Sequence, residues 1–245
     1  QPGTAWPRMG AHVQHRITLL RRSGRLPYGW ITDATRRGYF VDTFKGTGDF
    51  LRRVASLYRA DLWADADAYV EVWCESRSIA GVIQDTCTDL AVSLYPDGGF
   101  SSISLAYQAA ESIWQLTDEG CRPAHILYIG DYDPAGVLID KSIENELRRH
   151  LEPSFPLTFE RLGITEEQIR EDDLPTKPRK ATDRRSQHVT ATVEAEAMPA
   201  WMLRDLLRNA IEVFLPTKAL EVAKVAEESE RGILARVAAI FEDDP

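Results

Sequence analysis

"HILYIGDYDPAG", residues 125–136, is an apolar run that ends in two aspartates one residue apart, followed by a proline and a glycine. Ile126, Leu127, Tyr128 and Ile129 predict a buried strand. Pro134 suits the first position of a following helix, with Asp133 as its cap. The strand tip thus carries two carboxylates, Asp131 and Asp133. Crowding like charges is costly unless something positive stands between them, so the pair reads as a candidate cation site.

The segments on either side repeat the same grammar. "YVEVWC" (69–74) is β-branched and aromatic and predicts a strand, and "SIAGVIQDTCTDL" (78–90) places Ile79, Val82, Ile83 and Thr86 on one helical face. "AVSLY" (91–95) predicts a second strand, residues 103–119 a long helix, 134–151 another, and "LTFERLGI" (157–164) a fourth strand. Strand–helix alternation of this kind means an α/β fold, a mainly parallel sheet with helices on both faces. After residue 164 come an acidic stretch, a polar loop and helices near 199–214 and 217–241, the last two divided by Pro216.

In an open α/β sheet, ligands sit beyond the carboxyl ends of the strands. Asp131 and Asp133 lie there, and Glu75 ends the first strand in the same way. With strands one and three as neighbours, three carboxylates meet at one place. Bound Mg²⁺ relieves their repulsion, because hard carboxylate oxygens are its natural ligands. A lone Asp after a strand is an ordinary cap, but a DxD joined to an earlier strand-end Glu is more demanding.

These residues carry a resemblance. Glu75 after strand one, "GGFSS" (98–102) after strand two and "GDYDPAG" (130–136) after strand three resemble the toprim domain of topoisomerases, bacterial primases and related nucleases. The DxDPxG form is similar to that of the topoisomerase VI A subunit group. The order of segments also resembles uncharacterised bacterial and phage proteins that join a winged-helix-like segment to a toprim domain. The resemblance implies a toprim-type sheet over 69–198, a basic winged-helix-like segment over 1–68 and C-terminal helices over 199–245. It further implies Mg²⁺- or Mn²⁺-dependent cleavage of nucleic-acid phosphodiesters, with DNA as the expected substrate. Asp131 and Asp133 match the metal-binding aspartates, and Glu75 matches the glutamate that acts as ligand or general acid–base group. Topoisomerase VI proteins cleave DNA with a tyrosine ahead of the toprim domain. Tyr28, Tyr39 and Tyr58 are the tyrosines of residues 1–68, and none sits in a matching motif. Either the nucleophile precedes Gln1 in a longer chain, or water takes its place.

Charge agrees with a polyanion partner without requiring one. The net charge of −9 hides 11 Lys/Arg against 6 Asp/Glu in residues 1–68 and 18 against 32 in the remainder. The basic start and the loop residues Lys177, Arg179, Lys180, Arg184 and Arg185 are candidates for backbone phosphate contacts. A solvated surface has the same composition. Glu194 and Glu196 alternate in "TVEAEAM", which predicts a short strand; exposure to solvent is the simpler expectation for them, a second-metal role the sharper one. The stripe of Leu220, Val222, Val225 and Ile233 on the last helix suits packing on the body, on a second copy or on a partner subunit.

Other classes are excluded. No apolar run reaches the roughly 18 residues of a membrane span. Neither GxGxxG nor GxxxxGK[ST] occurs, so a dinucleotide or P-loop reading lacks its phosphate cradle. Cys74, Cys87 and Cys121 form no CxxC pair, which predicts reduced thiols in a cytoplasmic protein. The chain begins with Gln1, as expected of a processed or trimmed piece. The remaining alternative is a non-catalytic nucleic-acid-binding or assembly subunit with a structural carboxylate cluster.

Overall fold

The computed structural model describes residues 6–27, 41–96, 103–179, 186, 189 and 191–241. Four strands form one parallel sheet: β1 (Tyr69–Cys74), β2 (Ser93–Pro96), β3 (Ala124–Ile129) and β4 (Leu157–Gly163), in the order β2-β1-β3-β4. The helices are α1 (Trp6–Arg22), α2 (Thr47–Ala55), α3 (Arg77–Asp89), α4 (Ile103–Leu116), α5 (Gly136–His150), α6 (Glu166–Glu171), α7 (Ala200–Glu212) and α8 (Ala219–Ile240). A two-stranded hairpin, β5 (Lys177–Pro178) with β6 (Ala191–Thr192), stands beside the main sheet.

The period-2 pattern of β1 decides how the layers form. Val70, Val72 and Cys74 face a core shared with Ile79 and Ile83 of α3 and Leu203, Leu207 and Ile211 of α7. Trp73 faces the opposite core with Ala106, Ala110 and Ile113 of α4 and Ile139, Ile143 and Leu147 of α5. Both faces of the sheet are therefore covered, as the alternation predicts, and a fully buried Ile such as Ile83 or Ile113 contributes roughly 1.5–3 kcal/mol. Among the described residues, one charged side chain is buried in this apolar layer. Glu71 is completely buried, and it is satisfied by Tyr69 Oη at 2.7 Å and Trp73 Nε1 at 2.9 Å.

Two compact units divide the chain, residues 1–42 and 43–245. In the first, the spacing of Val13, Ile17 and Leu20 predicts a helix that stops at Gly24, and α1 ends there: Gly24 takes a left-handed φ of 70°, and the amide of Arg25 caps the Leu20 carbonyl at 2.9 Å. Tyr28, Tyr39 and most of the expected wing lie outside the described residues. In the second unit, the apolar spacing of Phe50, Leu51, Val54, Leu57 and Tyr58 predicts a helix from about Gly48 to Leu62, but α2 stops at Ala55. The Ser56 hydroxyl donates to the Arg53 carbonyl at 2.8 Å and closes the last turn. Helix α2 packs on α8, and Arg231 of α8 donates to the Tyr58 carbonyl at 2.8 Å. The predicted stripe on α8 divides: Leu220 packs on the core, whereas Val222, Val225 and Ile233 are exposed. No helix among the described residues is long and apolar enough to cross a membrane.

Candidate metal centre

The β1–β3 ladder continues past the strand ends. The Glu75 amide donates to the Ile129 carbonyl at 2.9 Å, which brings Glu75 alongside Gly130. On its other side, Gly130 donates to the Gly163 carbonyl and accepts from the Ile164 amide, both at 2.8 Å. A side chain at residue 130 has no room. Its Cβ would lie 2.7 Å from the Tyr128 hydroxyl and 2.9 Å from Glu75 Oε2. Because the glycine leaves that space open, Glu75 Oε2 reaches the Asp131 amide and accepts from it at 2.8 Å.

Each of the three carboxylates is anchored through one oxygen. Asp131 Oδ1 accepts from the Ala195 amide at 2.8 Å, and Asp133 Oδ1 from the amides of Ala135 at 2.8 Å and Gly136 at 2.6 Å. The remaining oxygens, Glu75 Oε1, Asp131 Oδ2 and Asp133 Oδ2, accept no hydrogen bond among the described residues. Asp133 bonds the amides that lead into α5 but does not hold the cap position expected of it: the helix begins at Gly136, two residues later than Pro134, with Ala135 at the cap, because Pro134 and Ala135 form the turn. Gly136 is needed there, since a Cβ would collide with the Asp131 carbonyl oxygen.

The field at the tip is negative. Burial pushes the Glu75 carboxyl above its ordinary range, against the Asp131 amide that stabilises its anion, and the charges of Asp131 and Asp133 add to the rise. Burial likewise raises Asp131, opposed by the Ala195 amide and reinforced by Glu196, Asp133 and Glu194. Sequence spacing predicts three carboxylates on one spot; the structure couples Glu75 directly to the Asp131 main chain and turns Asp133 towards its own helix. Among the described residues, no three acidic, histidine or cysteine side chains are arranged to hold an ion by themselves. The donor set still suits Mg²⁺, which commonly takes one or two carboxylates and completes its shell with water and substrate phosphate oxygens.

The segment after β6 meets the same turn. Tyr132 and Val193 exchange main-chain hydrogen bonds, each 2.9 Å long. Glu194 and Glu196 are exposed, but they do not alternate on a strand: Glu194 precedes a 3-10 turn over Ala195–Ala197, and Glu196 lies within it. Lys177 pairs with Glu194 at 2.8 Å, and Glu196 accepts from the hydroxyls of Ser76 and Ser78. Of the basic loop, Arg179 donates to the carbonyls of Val189 at 3.2 Å and Ser186 at 3.4 Å, bracing its own hairpin. Lys180, Arg184 and Arg185 lie outside the described residues.

Sequence reasoning missed Arg161. Its guanidinium reaches from β4 to the turn, donating to Gly130 O at 3.1 Å, Asp131 O at 3.2 Å and Gly136 O at 2.6 Å. An arginine two residues before the end of an apolar strand was the available signal, and local pattern does not reveal a reach across the sheet. No family model matches the chain, and no curated protein or solved structure is significantly similar to it.

Proposed function

We propose that this protein cleaves nucleic-acid phosphodiester bonds with the help of Mg²⁺ or Mn²⁺, with DNA as the substrate and water as the nucleophile. One observation carries the reading. Glu75 follows β1, and Asp131 and Asp133 follow its neighbour β3, each held by main-chain amides through one oxygen with the other uncommitted. The motif resembles that of a toprim-type site, and the uncommitted oxygens are available to a hard cation. Bound Mg²⁺ supplies Lewis-acid stabilisation of charge on the scissile phosphate and its leaving oxygen.

The chain's own residues have distinct tasks in this reading. Asp131 and Asp133 would hold the ion through Oδ2, while their Oδ1 atoms keep the turn closed. Glu75, its carboxyl raised by burial, is suited to take a proton from attacking water at Oε1. Tyr132, between the aspartates, is a poor nucleophile: burial and the charges of Glu166 and Glu167 raise its phenol further from ionisation.

The test is incubation of supercoiled plasmid with Mg²⁺ or Mn²⁺, comparing wild type with Asp131→Asn. Metal-dependent nicking or linearisation with free ends, lost in the variant, is the expected result. Protein-linked ends would instead assign the attack to a tyrosine. DNA binding without cleavage by either protein would make the chain a binding subunit.

A further inference from the structure

The carboxylates hold themselves to main-chain amides, but the turn that carries them needs a holder of its own. Gly130, Asp131 and Gly136 each present a main-chain carbonyl within reach of one side chain, and a single donor shared among them ties their positions together. Arg161 is that donor. Besides its bonds to Gly130 O, Asp131 O and Gly136 O, its Nη1 also reaches the Ile164 carbonyl at 3.4 Å. The guanidinium lies over the Tyr128 ring, 5.2 Å from its centroid. Its remaining nitrogen, Nε, pairs with Asp140 Oδ2 of α5 at 2.7 Å, and the two side chains are only 15% and 13% exposed.

That ion pair matters for a cation site. A lone guanidinium beside the aspartates would oppose the binding of a second positive charge. Asp140 neutralises it at close range and leaves the directional hydrogen bonds. One planar fork therefore fastens the tip of β3, the start of α5 and the end of β4 together. Lysine has no fork and reaches fewer of these carbonyls.

We propose that Arg161, held by Asp140, is the positioning residue of the carboxylate site, and that its hydrogen-bond fork sets the site's affinity for a divalent cation. This rests on the metal-dependent reading above. Groups that orient metal ligands without touching the ion commonly change affinity by about 10–100-fold when replaced.

The experiment titrates Mn²⁺ alone into the full chain, without DNA, and follows free Mn²⁺ by electron paramagnetic resonance. Wild type, Arg161→Lys, Arg161→Gln, Asp140→Asn and Asp131→Asn are compared, with circular dichroism and thermal melting recorded for each. The expected result is a Mn²⁺ site in wild type, absent in Asp131→Asn and weakened about 10–100-fold in both Arg161 variants. Failure of Arg161→Lys to rescue is part of the expectation, because charge without the fork should not suffice. Wild-type affinity in a folded Arg161→Lys, or a lowered melting temperature with unchanged affinity in Arg161→Gln, overturns the proposal while leaving the metal site standing. Should the Arg161 variants not fold, Asp140→Asn decides: unchanged affinity in that folded variant overturns the proposal. No Mn²⁺ site in wild type removes the metal reading itself, and this proposal with it.

Discussion

The main-chain amide of Asp131 donates to the Glu75 carboxylate across 2.8 Å, joining residues 56 positions apart in sequence. The bond exists because β1 and β3 are parallel neighbours in register, Cys74 opposite Ile129, and because Gly130 leaves the carboxylate its path. It places an acid–base candidate against the main chain of a candidate ligand.

Asp131→Asn should separate chemistry from folding. The amide oxygen of asparagine still accepts from Ala195, so melting temperature should stay near wild type. Metal-dependent plasmid cleavage should fall on the order of 100-fold or more with the lost charge. Wild-type cleavage in the folded variant would remove Asp131 from the site.

Gly136→Ala should be destabilising although alanine is the better helix former. The added methyl meets the Asp131 carbonyl oxygen at the first residue of α5. The turn must shift, at a cost of roughly 1–3 kcal/mol in urea unfolding. A neutral or stabilising result would mean the turn relaxes freely, contrary to the bracket drawn by Arg161.

Stability should fall between mildly acidic and neutral pH because of Glu71. Burial raises its carboxyl to about 7 from its ordinary 4.5, despite hydrogen bonds from Trp73, Tyr69 and Tyr95. A raised carboxyl binds its proton more tightly in the folded state. Its stabilising contribution is therefore complete below the unfolded value of 4.5 and is lost as pH rises through about 7. The span corresponds to roughly 3 kcal/mol at most. Urea midpoints at pH 5 and pH 8 should differ more in wild type than in Glu71→Gln, and equal pH dependence in the two proteins would refute the assignment.

Cysteine reactivity should be graded by position. Cys74 and Cys87 are buried and Cys121 is exposed, and burial pushes the Cys87 thiol up to about 12. A thiol reagent should label Cys121 rapidly in the native protein and the other two only after denaturant is added. Rapid labelling of all three would show that α3 opens readily.

The sheet was legible in the sequence because its signals are local. The runs at 69–74, 124–129 and 157–163 announced themselves by β-branched and apolar composition, and the helical face of α3 by its spacing. Glu75, Asp131 and Asp133 were legible too, as carboxylates at strand ends. Helix α2 was read too long because Leu57 continued its apolar pattern, although Leu57 is exposed in the folded chain. Glu194 and Glu196 were read as alternating on a strand because a 3-10 turn of three residues leaves no periodic trace.

By itself, then, the sequence determined the order of the main-sheet strands and the helices between them, the layered α/β class and the residues able to bring oxygen ligands to a strand tip. These follow from periodicity and side-chain chemistry, which act over a few residues. Only the tertiary structure decided that Glu75 binds the Asp131 amide, that Asp133 turns towards α5 and that Ala195 closes over Asp131. It alone brought Arg161 and Asp140 together beneath the turn. Those relations depend on which strands become neighbours and on where two glycines let the main chain approach, and packing settles both only when the whole sheet has formed.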